Sequence, residues 1–155
     1  MDFVWKEKTW SDLTMAEWYA ISVLRLEIFV VEQNCPYQDF DGKDQKSIHL
    51  WAESEDGTVA AYLRIPAPGV SYAEPSIGRV VVKADFRGRD LGRQLMQRGI
   101  AACQRHFGPL PIRISAQEYL LRFYSDLGFV ATGKSYLEDN IPHAEMIFNP
   151  TLNHE

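Results

Sequence analysis

The residues best suited to chemistry lie between Ile77 and Met96, where Arg87-Gly-Arg-Asp-Leu-Gly-Arg93 separates a strand pattern from a helical one. Val80, Val81 and Val82 are consecutive β-branched residues, as expected of a buried strand. Leu91, Leu95, Met96 and Ile100 then recur at helical spacing. A strand, a glycine-containing turn and a helix N-terminus make an anion site. The first helical turn leaves backbone N–H groups unpaired, and the helix dipole adds positive potential there. Gly88 and Gly92, lacking Cβ, let the main chain approach a phosphate, and Arg87, Arg89 and Arg93 add charge. A pyrophosphate is the expected guest. The turn has neither the Gly-Lys-Ser/Thr ending of a P-loop nor the three glycines of a dinucleotide fold.

A second group of reactive residues is acidic. Glu32, Asp39, Asp41 and Asp44 gather around a loop that also holds Tyr37 and Phe40. As an acidic mouth it would concentrate a cationic amine; the plainer alternative is a solvated polar loop. Arg64 and Arg79 fall within strand patterns, where unpaired charge is costly, so they are expected to pair with these acids.

The 155 residues suit one domain spanning the whole chain, with its core at about 5–150. The net charge of −5 argues against a nucleic-acid partner, so the basic run Arg87, Arg89, Arg93, Arg98 is an island suited to one polyanionic ligand. No stretch approaches ~18 apolar residues and no signal-peptide core opens the chain, so a cytoplasmic protein with no membrane partner is expected. Cys35 and Cys103, the two cysteines, suggest neither a metal site nor a disulfide framework, and no metal is expected.

The elements that must position these residues follow from pattern. Phe3–Lys8 reads as a strand. A helix over about Met15–Gln33 follows, capped by Thr14 and Glu17, then a polar loop over 34–47. A hairpin of His49–Ser54 and Thr58–Ile65 turns at Asp56-Gly57. The strand Ile77–Lys83 and a helix at about Arg89–His106 lead to a strand at Ile112–Ala116. A helix over about Glu118–Leu127 stops at Gly128. Phe129–Glu138 and Ala144–Phe148 pair around Asp139-Asn-Ile-Pro142, and Pro150 begins a tail. The order β-α-β-β-β-α-β-α-β-β describes an α/β fold with one mixed sheet and helices on its faces.

Arg87-x-x-Asp90-x-Gly92 resembles motif A of the GNAT acetyltransferases, whose amides hold the pyrophosphate of coenzyme A; Asp90 stands where the family usually has glycine. Phe123-Tyr124-x-x-x-Gly128-Phe129 resembles motif B, in the correct order. Phe29-Val-Val-Glu-Gln-Asn-Cys-Pro-Tyr-Gln-Asp-Phe-Asp41 and Ile141-Pro142-His143 narrow the resemblance to the ElaA-like branch.

The resemblance implies a GNAT fold with a splayed pair of parallel strands, acetyl-CoA as co-substrate and a small-molecule or peptide amine as acceptor. A homodimer is the family expectation. Val80, Val81, Val82, Arg87, Gly88, Arg89, Asp90, Leu91, Gly92, Arg93 and Gln117 would bind the coenzyme. Val80 and Val82 would do so through their main chain, with an amide near Val82 as oxyanion donor. Tyr124 would be the general acid, a phenol protonated at neutral pH and able to donate to a thiolate. Glu32 and His143 are the candidate bases, and Phe29, Glu32, Asp39 and Asp41 the candidate acceptor residues.

Two rival readings remain. Arg25-x-x-x-Phe29, Asp39-x-Asp41 and Leu63-Arg64 are similar to acyl-homoserine-lactone synthases. A non-catalytic acetyl-CoA sensor would use the same cradle.

Overall fold

The computed structural model describes residues 2–150, so the expected tail beyond Pro150 lies outside the described residues. Strands β1 (Val4–Thr9), β2 (Ser47–Glu53), β3 (Val59–Pro66) and β4 (Gly78–Val82) form an antiparallel sheet in chain order. Strands β5 (Ile112–Gln117), β6 (Val130–Glu138) and β7 (Ile141–Phe148) form a second, ordered β5-β7-β6. Helix α2 (Leu91–Phe107) crosses from β4 to β5, which share no ladder. The Arg113 N–H donates to the Pro75 carbonyl at 3.2 Å, tying the start of β5 to the segment before β4. Beyond that tie the two strands form the splayed pair.

Helix α1 (Met15–Leu26) covers one face of the first sheet, packing Ile21 and Leu24 with Trp51, Tyr62 and Val81. Thr14 and Glu17 form its capping box. Helix α2 covers the other face, with Leu91, Leu95, Met96 and Cys103 against Leu50, Ala61, Leu63 and Ile65. A Cβ at Gly99 would meet Leu63 Cδ2 at 2.8 Å, so glycine there brings α2 close to β3. Covered on both sides, β3 is buried along its whole length.

Two local departures shape the site. The first is in the opening helix, where the α geometry stops at Leu26 and Glu27–Glu32 is wound as a π-helix. The wider turn rotates the residues that follow, burying Ile28 and Phe29 and leaving Glu32 exposed. The second concerns the last hairpin, which turns on two residues rather than the expected four. Asp139 (φ 49°) and Asn140 (φ 64°) both adopt the left-handed conformation, the pattern of a tight hairpin turn. Ile141, Pro142 and His143 therefore belong to β7, and His143 sits between Gln117 of β5 and Tyr136 of β6. The expected helix over 118–127 is shorter: a 3-10 turn at Glu118–Leu120 leads into α3 (Leu121–Asp126).

Candidate active site

The gap between β4 and β5 opens into a cleft of about 560 Å³. Gly78, Arg79 and Val80 line one wall, and Ile114, Ser115 and Gln117 the other. The alternation of β5 explains why Ser115 and Gln117 stand in its wall. Ile112, Ile114 and Ala116 are buried, while Ser115 and Gln117 stand on the opposite, half-buried face.

A bulge in β4 shapes the first wall. Val81 pairs with Tyr62 and Gly78 with Arg64, so Arg79 and Val80 together oppose Leu63. Arg79 takes φ 51° there, a strained conformation that costs roughly 1–2 kcal/mol for a non-glycine residue. Its side chain is anchored. Arg79 Nε stands 2.6 Å from Asp39 Oδ1, and Nη2 donates to the Asp39 carbonyl at 3.0 Å and to Asp41 Oδ2 at 3.3 Å. Beyond the bulge the Lys83 N–H donates to the Ala60 carbonyl at 2.8 Å, so by strand alternation the main-chain groups of Val82 face away from β3. The Val82 carbonyl accepts from Arg87 Nε at 3.1 Å. Its N–H remains for a ligand. The side chain of Val81 is buried against α1.

The corner into α2 is built to leave its amides uncapped. Gly88 (φ 80°) and Asp90 (φ 61°) both have positive φ, which turns the chain sharply into the helix. Asp90 occupies the capping position, but its carboxylate does not cap; Arg93 takes it, Nε to Oδ1 at 3.0 Å and Nη2 to Oδ2 at 2.7 Å. The carboxylate that stands where the family usually has glycine is thus engaged by an arginine. The N–H groups of Leu91, Gly92 and Arg93 stand at the start of a 17-residue helix without a side-chain cap. A Cβ at Gly92 would lie 3.7 Å from Val82 Cγ2 and 3.8 Å from Phe123 Cζ. The corner therefore packs between β4 and the helix that carries Tyr124. Arg89 lies over the Phe86 ring at 5.6 Å.

Tyr124 is 7% exposed and lines the cleft, and burial pushes its phenol up from the ordinary value. His143 also lines the cleft. Its Nδ1 is 2.7 Å from the Ile141 carbonyl, which can only accept, so Nδ1 carries the proton. Nε2 faces the Glu138 carboxylate, 3.4 Å from Oε2. Tyr136 stacks on the imidazole and donates to Ser115 Oγ at 2.6 Å, and Ser115 donates to Glu138 Oε1 at 3.4 Å. Sequence reasoning missed Ser115, Tyr136 and Glu138. The β5 alternation could have found Ser115, whereas the other two depend on hairpin register.

Glu32 is placed differently from expectation. It does not line the cleft, and Arg87 grips it through two bonds of 2.5 and 3.0 Å. Hydrogen bonds from Arg87 hold its carboxyl below the usual range, which weakens it as a base. The acids of loop 34–46 are also redirected. Asp39 is 2% exposed, away from the cleft lining, and bound by Arg25, Arg79 and Tyr37. Asp44 joins Arg25 at 2.7 Å and Arg64 at 3.1 Å. Phe29 and Asp41 do line the cleft, but Asp41 is held by Arg64 at 2.6 Å. The acidic mouth is a compensated ion network, because burying these acids requires arginine partners.

The profile of the acetyltransferase (GNAT) domain matches residues 21–149. The chain belongs to this family. It is 44% identical to an acyl-CoA N-acyltransferase from Pseudomonas aeruginosa, whose structure superimposes with a TM-score of 0.90 over 95% of this chain and 99% of that one. The crystal structure of Escherichia coli ElaA superimposes at TM-score 0.89 with 36% identity, over 96% of this chain and 100% of that one. A UPF0039 protein from Synechocystis is 37% identical over 148 residues, 96% of each chain. The ElaA-like resemblance and the acyl-CoA N-acyltransferase fold are thereby established, and an acyltransferase is the coarse functional conclusion. Among the described residues no helix is long and apolar enough to cross a membrane, and no group of His, Cys, Asp and Glu is placed to hold a metal ion.

Proposed function

We infer that this GNAT protein is an acetyl-CoA-dependent N-acetyltransferase acting on a primary amine. The observation that carries the reading is the continuity of three features. An uncapped helix N-terminus lies beside a β4 edge with a free Val82 N–H, and that edge opens into a cleft holding Tyr124 and His143. The coenzyme supplies an acetyl thioester. The amides of Leu91, Gly92 and Arg93 would hold its pyrophosphate, and Gln117 and Val80, which line the cleft, would hold its pantetheine arm.

The acceptor ammonium first loses a proton to His143 Nε2, the ring nitrogen that the Ile141 carbonyl does not engage. Glu138 stabilises the imidazolium that results. The neutral amine then attacks the thioester carbonyl. The Val82 N–H meets the developing oxyanion, a donor typically worth ~3 kcal/mol. Tyr124 protonates the leaving thiolate.

Thiol release from acetyl-CoA over a panel of amines tests the reading. Tyr124→Phe should lower kcat on the order of a hundredfold while leaving the coenzyme dissociation constant within about twofold. Coenzyme binding without thiol release from any amine would instead indicate a sensing module and overturn the enzymatic reading.

A further inference from the structure

Loop 34–46 and the β6–β7 hairpin meet at the cleft, where Cys35 Sγ lies 3.7 Å from the Asp139 carbonyl. Their uncompensated charges differ in sign. On the loop side Arg25, Arg64 and Arg79 are matched by Asp39, Asp41 and Asp44 through the ion pairs above. Lys43 is left over. It is half-buried, lines the cleft and has no carboxylate partner among the described residues. Arg64, which also lines the cleft, keeps a buried Nε–H with no partner. On the hairpin side Glu138 and Asp139 line the cleft with no lysine or arginine partner among the described residues.

A cleft polarised in this way suits an acceptor that carries both charges. Resting on the acetyltransferase reading, we propose that the acceptor is a zwitterionic amino acid or short amino-carboxylic acid. Its ammonium sits against Glu138 and His143, and its carboxylate against Lys43. A polyamine or aminoglycoside, with several separated cations, would press positive charge onto Lys43 and Arg64. In the reaction the acceptor nitrogen–acetyl bond forms as the acetyl–sulfur bond breaks. Of the three ammonium protons, one leaves through His143 to solvent, one balances the proton that Tyr124 gives the thiolate, and one stays on the amide nitrogen. The products are an N-acetylated carboxylate and the free thiol.

The test uses matched pairs with acetyl-CoA: alanine and 3-aminopropanoate against ethylamine, 4-aminobutyrate against propylamine, 5-aminopentanoate against butylamine, and spermidine alone. At least one acid should show kcat/KM tenfold or more above both its decarboxylated partner and spermidine. Lys43→Arg should keep that preference, Lys43→Met should bring the ratio below two, and Lys43→Glu should invert it. A wild-type protein that prefers the plain amines or spermidine overturns the proposal without any variant, as does an unchanged ratio in folded Lys43→Glu. Absence of thiol release from every compound overturns it too. Calorimetry with acetyl-CoA then separates the causes: a protein that still binds retains the coenzyme site, and one that does not loses the acetyltransferase reading as well.

Discussion

The corner between β4 and α2 and the floor beneath loop 34–46 hold their arginines in opposite ways. At the corner, Arg87–Glu32 and Arg93–Asp90 join side chains that are 42–56% exposed. On the floor, Arg25 and Asp39 have no exposed side-chain surface. Exposed pairs contribute roughly 0–1 kcal/mol and are screened by salt, so incoming phosphates can compete for their arginines. A buried pair broken on one side costs about 3–5 kcal/mol, because the abandoned charge cannot reach water. The difference assigns roles. On the proposed reading the corner would exchange its partners for the coenzyme, while the buried pairs of the floor hold Arg79 beside the β4 bulge.

The largest effect that would sharpen this contrast is on stability. Burial works against the Arg25 charge, but hydrogen bonds and charge from Asp44 and Asp39 hold the guanidinium protonated, above its ordinary value. Arg25→Met should lower unfolding free energy by about 3–5 kcal/mol, while Arg87→Met should lower it by less than about 1 kcal/mol. Urea titration reads both, and equal losses would break the comparison.

A smaller effect concerns acid. Burial alone would raise the Asp41 carboxyl, but hydrogen bonds and charge from Arg64 outweigh it and hold the carboxyl well below the usual range. A depressed carboxyl stabilises the fold above its unfolded value of 3.8, and loses that contribution as pH falls below it. The urea midpoint should therefore drop between pH 5 and pH 3, and less steeply in Asp41→Asn. An identical slope in the variant would remove Asp41 from the floor's energetics.

The smallest effect belongs to the corner. Glu32→Gln frees Arg87 for the coenzyme, and the dissociation constant should fall by up to about fivefold at low salt, with the gain fading as salt rises. Calorimetry at two ionic strengths reads it. Weaker binding in the variant would mean that Glu32 serves the ligand directly.

These two regions also differed in how far they could be read from sequence. The corner is local: three valines, a glycine turn and a helical repeat within about twenty residues specify strand, turn and helix in order. The floor is assembled from residues far apart, Arg79 with Asp39 and Arg64 with Asp41, separated by 40 and 23 positions. The cost of burying arginines predicted that such pairs exist, but no spacing rule says that they would consume the acidic loop. The bulge at Arg79 arises from the register of β4 against β3, which composition does not encode. His143 was visible as a candidate base. Its partners were not, because a two-residue turn rather than a four-residue one decides which residues of β6 stand beside it.

The central claim is that the main chain of the β4–α2 corner and the β4 edge grip the coenzyme. Amide hydrogen exchange with and without acetyl-CoA tests it most directly. The account predicts slowed exchange concentrated at Val82 and at Gly88–Arg93, with little change in β1. Unchanged exchange at those amides under saturating coenzyme, or protection confined to another surface, would contradict it.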